Sequence, residues 1–257
     1  MSESDLPGLT AQVLWAVFIL AAVFGAVAQR WHFCTMGALA DIVNMGDWSR
    51  MRMWVLAIGV ATVGFNAMAA LGWVDAADSI YAGPDLIWLS NLLGGLVFGF
   101  GMVLASGCGS KTLVRIGGGS LKAVVVVAVL GLSAYATLRG VVAVARVGTV
   151  DAVAWTLPVG QDLPSLAAQA GGWSRGAMRW IVGCGFGLAL VAWVLARPEG
   201  RTREVLLGGG LTGLVVAGIW WVSGVLGHLP EHPATLERTF IATNSQRMES
   251  LTFVASI

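Results

Sequence analysis

Six long apolar stretches constrain this chain more than any other feature of its sequence. They cover residues 12–28, 51–73, 86–105, 121–138, 177–196 and 205–227. A helix that crosses a bilayer needs about 17 to 25 mostly apolar residues, so each stretch is long enough to span a membrane. Lipid offers no hydrogen bonds to an open backbone, which favours helices over any unpaired strand. The sequence therefore predicts an all-α polytopic membrane protein with about six transmembrane helices.

The composition excludes the soluble classes of protein. Charged residues make up 11% of the 257 residues, against about 25% in soluble domains. The net charge of +1 and the absence of a basic run give no reason to expect a nucleic-acid partner. The acidic start, MSESDLPGLTAQ, lacks the positive region of a cleaved signal peptide. The first apolar stretch is therefore predicted to stay in the protein as a membrane helix.

Two further regions are too short or too irregular to cross. Residues 34–45 are apolar but short, which predicts a re-entrant or interfacial helix. Residues 148–176 contain two prolines and the pair Gly171-Gly172, and they predict a loop with a short helix on the surface.

The basic residues alternate along the chain in a way that predicts orientation. Nine of the fifteen follow the first, third and fifth stretches: Arg30, Arg50, Arg52, Lys111, Arg115, Lys122, Arg197, Arg201 and Arg203. The loop at residues 75–85 has three aspartates and no basic residue. Loops rich in Lys and Arg stay in the cytoplasm. We therefore predict a bacterial inner-membrane protein whose N-terminus and tail after residue 227 are periplasmic.

Residues 90–120, SNLLGGLVFGFGMVLASGCGSKTLVRIGGGS, are the strongest indication of function. An apolar helix ends there beside Cys108, with Gly107 and Gly109 on either side and Lys111 three residues later. Open backbone at membrane depth is tolerated only where it is buried in protein or lines a cavity, and a half-helix end binds anions. These four residues are therefore candidates for the path of an anion.

A second candidate thiol, Cys34, follows Arg30 in the segment AQRWHFCTMGA. Nearby cations favour the reactive thiolate form of a cysteine, and Arg30 is a candidate for the inner end of the path. The alternatives stay open, because free cysteines are often small buried hydrophobes and basic residues often anchor a helix at the interface. Cys184 lies inside the fifth stretch and matches no such pattern.

The pair Gln29-Arg30 recurs as Gln246-Arg247 in TNSQRMESLTFVA, with five apolar stretches between the two copies. An odd number of spans would point the copies in opposite directions, as in the inverted repeats of transporters. We predict one transmembrane domain over residues 1–257. Its residues 1–228 hold the first repeat and the following spans, while residues 229–257 form the outer tail and the start of an incomplete second repeat.

The segments AQRWHFCTMGALADI and LLGGLVFGFGMVLASGCGSKTLVRIGGGSLKA resemble the YeeE/YedE sulfur transporters from about residue 12 to the end of the sequence. The resemblance implies an integral membrane protein with inverted repeats that takes up thiosulfate. It also implies that Cys34 and Cys108 pass the anion along through S–H···S contacts. Single-chain members have a further cysteine in the second repeat, so this chain is expected to be truncated or to pair with a second half.

The anion path read from the residues, together with what the resemblance implies, predicts transport of thiosulfate or a related small sulfur anion into the cytoplasm, without a metal or an organic cofactor. An enzyme is not expected, because Ser110 separates Gly109 from Lys111 and so breaks the phosphate-loop pattern. The alternatives are a membrane subunit that docks a small sulfur-carrier protein without transport, and a half-transporter that needs a second chain. Membrane lipid is the remaining expected partner.

Overall fold

The structure, a computed structural model, describes residues 6–231, 238–243 and 245–251. The parts it describes are mostly helical, with almost no sheet. The helices are α1 Leu6–Arg30, α2 Thr35–Met45, α3 Ser49–Ala70, α4 Trp88–Leu104, α5 Gly109–Gly117, α6 Leu121–Arg139, α7 Val141–Gly148, α8 Leu163–Gly171, α9 Arg175–Met178, α10 Gly185–Leu195 and α11 Arg203–Trp221. A π-helical segment, Arg179–Cys184, joins α9 to α10, and a second one, Val222–Leu226, extends α11.

The short strands connect loops outside the helices. Strand β1, Asp85–Leu86, pairs antiparallel with β2, Trp155–Thr156. Strand β3, His228–Leu229, pairs antiparallel with β4, Thr239–Phe240. The short helix expected within residues 148–176 is α8, whereas α7 and the pairing of β2 give no clear signal in the sequence.

Within the described residues, six helical spans are long and apolar enough to cross a membrane, which confirms the predicted fold class. They are Leu6–Met45, Ser49–Ala70, Trp88–Gly117, Leu121–Arg139, Arg175–Leu195 and Arg203–Leu226. Each contains one of the apolar stretches or most of it. The first and third spans are interrupted where α1 gives way to α2 and α4 to α5.

Helices α3, α10 and α11 form the packed core of the molecule. Glycines on α11 allow the close approach of α3, since a Cβ atom at Gly209 would lie 2.5 Å from the backbone oxygen of Met53. A Cβ atom at Gly213, four residues later, would lie 2.7 Å from the backbone oxygen of Ala57. Small residues at this spacing let membrane helices pack backbone to backbone.

Helices α4, α6 and α7 contrast with this core. No residue of α4 or α7 is buried, and Ala123 is the one buried residue of α6. Exposed apolar side chains are stable against lipid tails, so these helices need no further protein cover in a bilayer. The third and fourth spans thus lie at the edge of the described structure, and α5 joins them to α1.

The molecule has two chemically distinct ends. Arg50 lies in the first turn of α3, and Asp75 follows its last turn. The helix has 22 residues and is about 33 Å long. We call the end with Arg50 the basic end, where Arg52 also lies 3.8 Å from Glu199. We call the end with Asp75 the tail end. The alternation of charge along the sequence corresponds to these two ends, while their orientation in the cell stays a prediction.

The tail, residues 238–243 and 245–251, packs onto the tail end of the bundle. Met248 is fully buried in an apolar cluster with Met68, Val74 and Phe240. The Ser223 hydroxyl donates to the backbone oxygen of Glu249 at 2.6 Å. The predicted start of a second repeat in residues 229–257 is only partly described, because residues 232–237, 244 and 252–257 lie outside the described ranges.

Candidate functional site

Each candidate cysteine begins a short helix after a sharp turn. Cys34 is the N-cap of α2, and its Sγ accepts a hydrogen bond from the backbone N–H of Gly37 at 3.4 Å. Cys108 is the N-cap of α5 and has an extended backbone. Two residues before each cysteine, His32 and Ser106 adopt positive φ values of 52° and 54°. Such left-handed residues end the preceding helix and redirect the chain.

The two thiols meet although 74 residues separate them along the chain. Sγ of Cys34 lies 3.5 Å from Sγ of Cys108, and each residue is only 6% exposed. Sγ of Cys108 also lies 3.3 Å from the Ser110 hydroxyl oxygen. Because each cysteine caps a helix, two helix N-termini converge on the sulfur pair. Free backbone N–H groups and the helix dipoles make this point favourable for negative charge.

A cavity of about 390 Å³ adjoins the pair at the basic end. We call it the basic cavity. Its lining consists of Ala28, Gln29, His32, Phe33, Cys34, Arg50, Lys111, Val114 and Arg115. Three of these side chains carry permanent positive charge, so the cavity attracts anions.

A second cavity, of about 420 Å³, adjoins the pair deeper in the bundle. We call it the apolar cavity. Its lining consists of Phe24, Phe33, Thr35, Trp54, Ala57, Ile58, Ala61, Phe98, Cys108, Gly109, Ser110, Thr212, Val216 and Leu251. Cys34 lines the basic cavity and Cys108 the apolar cavity. The contact between their sulfur atoms therefore lies at the boundary of the two spaces.

The structure brings most of the predicted site residues to this boundary. Lys111 lines the basic cavity, and Gly109 lines the apolar cavity as the first residue of α5. Gly107 is buried, and a Cβ atom there would lie 3.4 Å from Cδ of Lys111. Arg30 does not join them, because it is exposed at the last residue of α1 and lies outside the lining of both cavities.

Arg50, which the sequence analysis did not select as a site residue, lines the basic cavity. Its Nε lies 2.8 Å from Oδ2 of the buried Asp41. In the sequence analysis, Arg50 was one of the loop cations that set the orientation. The signal that could have identified it as a cavity residue was Asp41, a charged side chain in the apolar segment that forms α2. Ser110 was missed as a thiol neighbour, since a serine after a glycine carries no distinctive pattern.

Aromatic rings close one side of the apolar cavity. Phe33 stacks on Trp54 with ring centroids 5.9 Å apart and planes inclined by 9°. Phe24 meets the edge of Phe33 at a centroid separation of 6.5 Å. The stack holds the residue before Cys34 against α3 and thereby positions the thiol.

Cys184 lies away from the pair. It is buried in the π-helical segment, and its Sγ lies 3.9 Å from the backbone oxygen of Val63. It lines neither the basic nor the apolar cavity. Among the described residues, no group of three or more histidine, cysteine or acidic side chains forms a metal site.

Comparison with known proteins identifies the family of this chain. The sequence profile of a family described as Sulphur transport matches residues 30–256. The "Thiosulfate transporter TsuA" of Spirochaeta thermophila is 30% identical over 128 residues, which are 50% of this chain and 37% of that protein. The protein of the same name from Escherichia coli is 34% identical over 101 residues, 39% of this chain and 27% of the relative.

A third relative, the "Probable transporter YedE" of Salmonella typhimurium, is 30% identical over 92 residues, 36% of this chain and 21% of the relative. The chain thus matches between about a fifth and two fifths of the length of these relatives. The family profile covers most of the chain, including both cysteine motifs. The chain therefore belongs to the Sulphur transport family.

Proposed function

We propose that this chain carries thiosulfate or a closely related sulfur anion across the inner membrane into the cytoplasm, through a pathway that includes Cys34 and Cys108. The observation that carries the proposal is the 3.5 Å contact between the two sulfur atoms at the boundary of two cavities. A solute that moves from one cavity to the other would pass this contact and therefore both thiols.

The chemistry of the pair suits a sulfur anion. A thiol is a weak hydrogen-bond donor, and the terminal sulfur of thiosulfate is a soft acceptor of such bonds. The N-termini of α2 and α5 add backbone N–H groups and positive potential at the same point. The anion can therefore exchange contacts with Cys108 for contacts with Cys34 without forming a covalent bond.

The distribution of charge supports an orientation in which the basic cavity faces the cytoplasm. The basic cavity lies at the end of the molecule where Arg50, Lys111 and Arg115 are found. By the positive-inside rule, this end faces the cytoplasm. The names of the relatives support thiosulfate as the substrate. Because the chain matches only part of their length, transport by this chain alone is part of the proposal.

Labelled thiosulfate uptake tests the proposal. We would express the chain in bacteria that lack their own sulfate and thiosulfate importers, beside the Cys108→Ala variant. Loss of a hydrogen bond to a charged group is worth about 1.5 to 3 kcal/mol, so we expect uptake to fall roughly tenfold to a hundredfold. The matched control is Cys184→Ala, which removes a buried thiol outside both cavities.

The outcomes separate the proposal from its alternatives. Uptake that is lost with Cys108→Ala and kept with Cys184→Ala supports a cysteine-dependent transporter. Equal uptake in the parent chain and Cys108→Ala contradicts the role of the thiol pair. A well-inserted parent chain without uptake contradicts independent transport and favours a half-transporter, or a subunit that docks a sulfur-carrier protein.

A further inference from the structure

The basic cavity contains Arg50, and contacts with α2 fix the position of its side chain. Nε of Arg50 lies 2.8 Å from Oδ2 of Asp41, and the side chain of Asp41 is only 9% exposed. Asp41 lies on α2, the helix that Cys34 caps. The ion pair therefore connects the guanidinium group to the element that holds one of the two thiols.

A glycine on the same helix makes room for the guanidinium. A Cβ atom at Gly37 would lie 2.6 Å from Nη1 of Arg50, too close for any other residue unless the arginine moved. Gly37 is also the residue whose backbone N–H donates to Sγ of Cys34. One end of the Arg50 side chain thus lies against the first turn of α2, beside the cysteine.

The salt bridge leaves part of the guanidinium accessible. The close contact with Asp41 is made by Nε, at one edge of the group. The side chain is 38% exposed. Arg52 shows the opposite arrangement: it is 11% exposed and lies over the ring of Trp193 at 5.2 Å. Arg50 is available to a solute, whereas Arg52 packs against the bundle.

The surrounding lining has one sign of charge. Lys111 and Arg115 line the cavity with Arg50, and no aspartate or glutamate is among the described residues that line it. Two carboxylates lie near Arg50: Asp41, which is buried behind it, and Asp47, whose charge interacts with that of the guanidinium. Neither of them lines the cavity, whose three cations attract an anion.

We propose that Arg50, positioned by Asp41, forms with Lys111 a binding site for the oxygen-bearing end of a divalent sulfur oxyanion in the basic cavity. The planar guanidinium presents parallel N–H donors that match two oxygens of a sulfonate group, and the lysine adds a point charge. An anion held there by its oxygens lies in the same cavity as the Cys34 thiol. This inference rests on the proposed transport function, and it assigns the oxyanion end of the substrate to a residue outside the cysteine motifs.

Protection of Cys34 from alkylation measures this binding without transport. In a chain with Cys108→Ala and Cys184→Ala, Cys34 is the remaining thiol and reports the contents of the basic cavity. N-ethylmaleimide, a small neutral alkylating reagent, would be applied to the purified full chain at rising thiosulfate concentrations. The measured quantity is the concentration that halves the rate of modification. Sulfate would be tested beside thiosulfate, with chloride at equal ionic strength.

Replacement of Arg50 gives the decisive comparison. We expect Arg50→Gln to raise the half-protecting concentration of thiosulfate about tenfold to a hundredfold, as expected for loss of a charge-assisted pair of hydrogen bonds. Arg50→Lys keeps a charge beside Asp41 but not the planar fork, so an intermediate rise is expected. The matched control is Arg197→Gln, an exposed arginine at the basic end outside the cavity lining, with a change within about twofold.

Each result decides the proposal. The expected order, together with protection by sulfate and none by chloride, supports it. An unchanged half-protecting concentration in both Arg50 variants overturns it, as does an equal rise in Arg197→Gln. The rate of modification without anion shows whether each variant keeps the fold around Cys34. Protection of the parent chain without any uptake would contradict transport and leave the anion site standing, so the two proposals fail separately.

Discussion

The two Gln-Arg segments, residues 29–34 and 246–251, approach the same part of the bundle from opposite ends. In the first, Gln29 lines the basic cavity, and Cys34 follows five residues later in contact with Cys108. In the second, Leu251 follows Gln246 by the same five residues and lines the apolar cavity that contains Cys108. At the same distance from its Gln-Arg pair, the first segment thus brings a thiol to the boundary of the two cavities, and the second brings an apolar side chain.

The segments reach these positions by different local structures. The first runs from a helix end through the left-handed His32 to the N-cap of α2, so helices fix both of its ends. The second has no helix over its described residues and depends on contacts with the bundle, such as the Ser250 hydroxyl, which donates to the backbone oxygen of Val216 at 3.3 Å. The candidate thiol thus lies on the segment that helices fix, while the tail contributes an apolar side chain to the wall of the cavity.

Exchange of the side chains of Cys34 and Leu251 tests the difference between the segments and has the largest expected effect. We expect Cys34→Leu to reduce thiosulfate uptake roughly tenfold to a hundredfold, because it removes one hydrogen-bonding thiol of the pair. Leu251→Cys alone leaves uptake close to that of the parent chain. The double variant Cys34→Leu with Leu251→Cys stays low, because only Cys34 adjoins the basic cavity. Initial rates of labelled uptake measure all three, normalised to the amount of inserted protein.

Restored uptake in the double variant would show that a thiol at either segment serves the pathway. In that case the helix cap contributes nothing specific, and the two segments are equivalent in function. A strong loss in Leu251→Cys alone would contradict the tail's role as a simple apolar wall.

Removal of a buried tail side chain tests whether packing holds the second segment. Met248 is fully buried, and its sulfur would lie 2.4 Å from a Cβ atom at Gly224 on the extension of α11. We expect Met248→Ala to destabilise the docked tail by about 2 to 5 kcal/mol, as for other buried methionines. Thermal unfolding of the protein in detergent measures the loss.

The control for this prediction is Met45→Ala at the end of α2, where the methionine is 68% exposed. Its melting temperature should stay close to that of the parent chain. A similar small effect for Met248→Ala would show that the tail is held by its backbone contacts rather than by its apolar cluster.

Hydropathy and the cysteine motifs predicted much of this arrangement, for identifiable reasons. Each span follows from local composition, since about 20 apolar residues suffice to identify a membrane helix. The selection of Cys34 and Cys108 as candidate site residues also follows from local sequence, because glycines and cations lie beside them. The contact between the two sulfur atoms could not be predicted from local sequence, because it joins residues 74 positions apart and depends on how α2 and α5 pack.

The same limit explains why sequence reasoning did not select Arg50 as a site residue. Arg30 and Arg50 are both arginines in the loops around the first two spans, and composition does not distinguish an exposed anchor from a cavity cation. The distinction comes from Asp41 and Gly37 on α2, which fix Arg50 through tertiary contacts. The docking of Met248 likewise depends on space left by Gly224 and not on a signal within the tail.

The pH dependence of tail docking gives the smallest expected effect. Nε of Arg238 in the tail donates to Nε2 of His228 at 2.9 Å, a bond that needs the neutral imidazole. Burial lowers the pKa of His228 below its usual 6.5, and the charge of Arg238 lowers it further, while Asp78 acts in the opposite direction. Since the unfolded chain then binds a proton more readily, this contribution to stability is complete above pH 6.5 and is lost as the pH falls below that value.

Unfolding in detergent between pH 5.5 and 7.5, about one unit on either side of the usual pKa of histidine, measures this effect. We expect the parent chain to lose a small part of its stability toward the acidic limit, and His228→Gln, which cannot titrate, to lose less. Burial raises the pKa of Asp78 in the same cluster, and that carboxyl titrates in both proteins, so their difference reports the histidine together with its effect on Asp78. Parallel curves for the two proteins would show that the tail is held independently of His228. The comparison between the segments would then rest on packing alone.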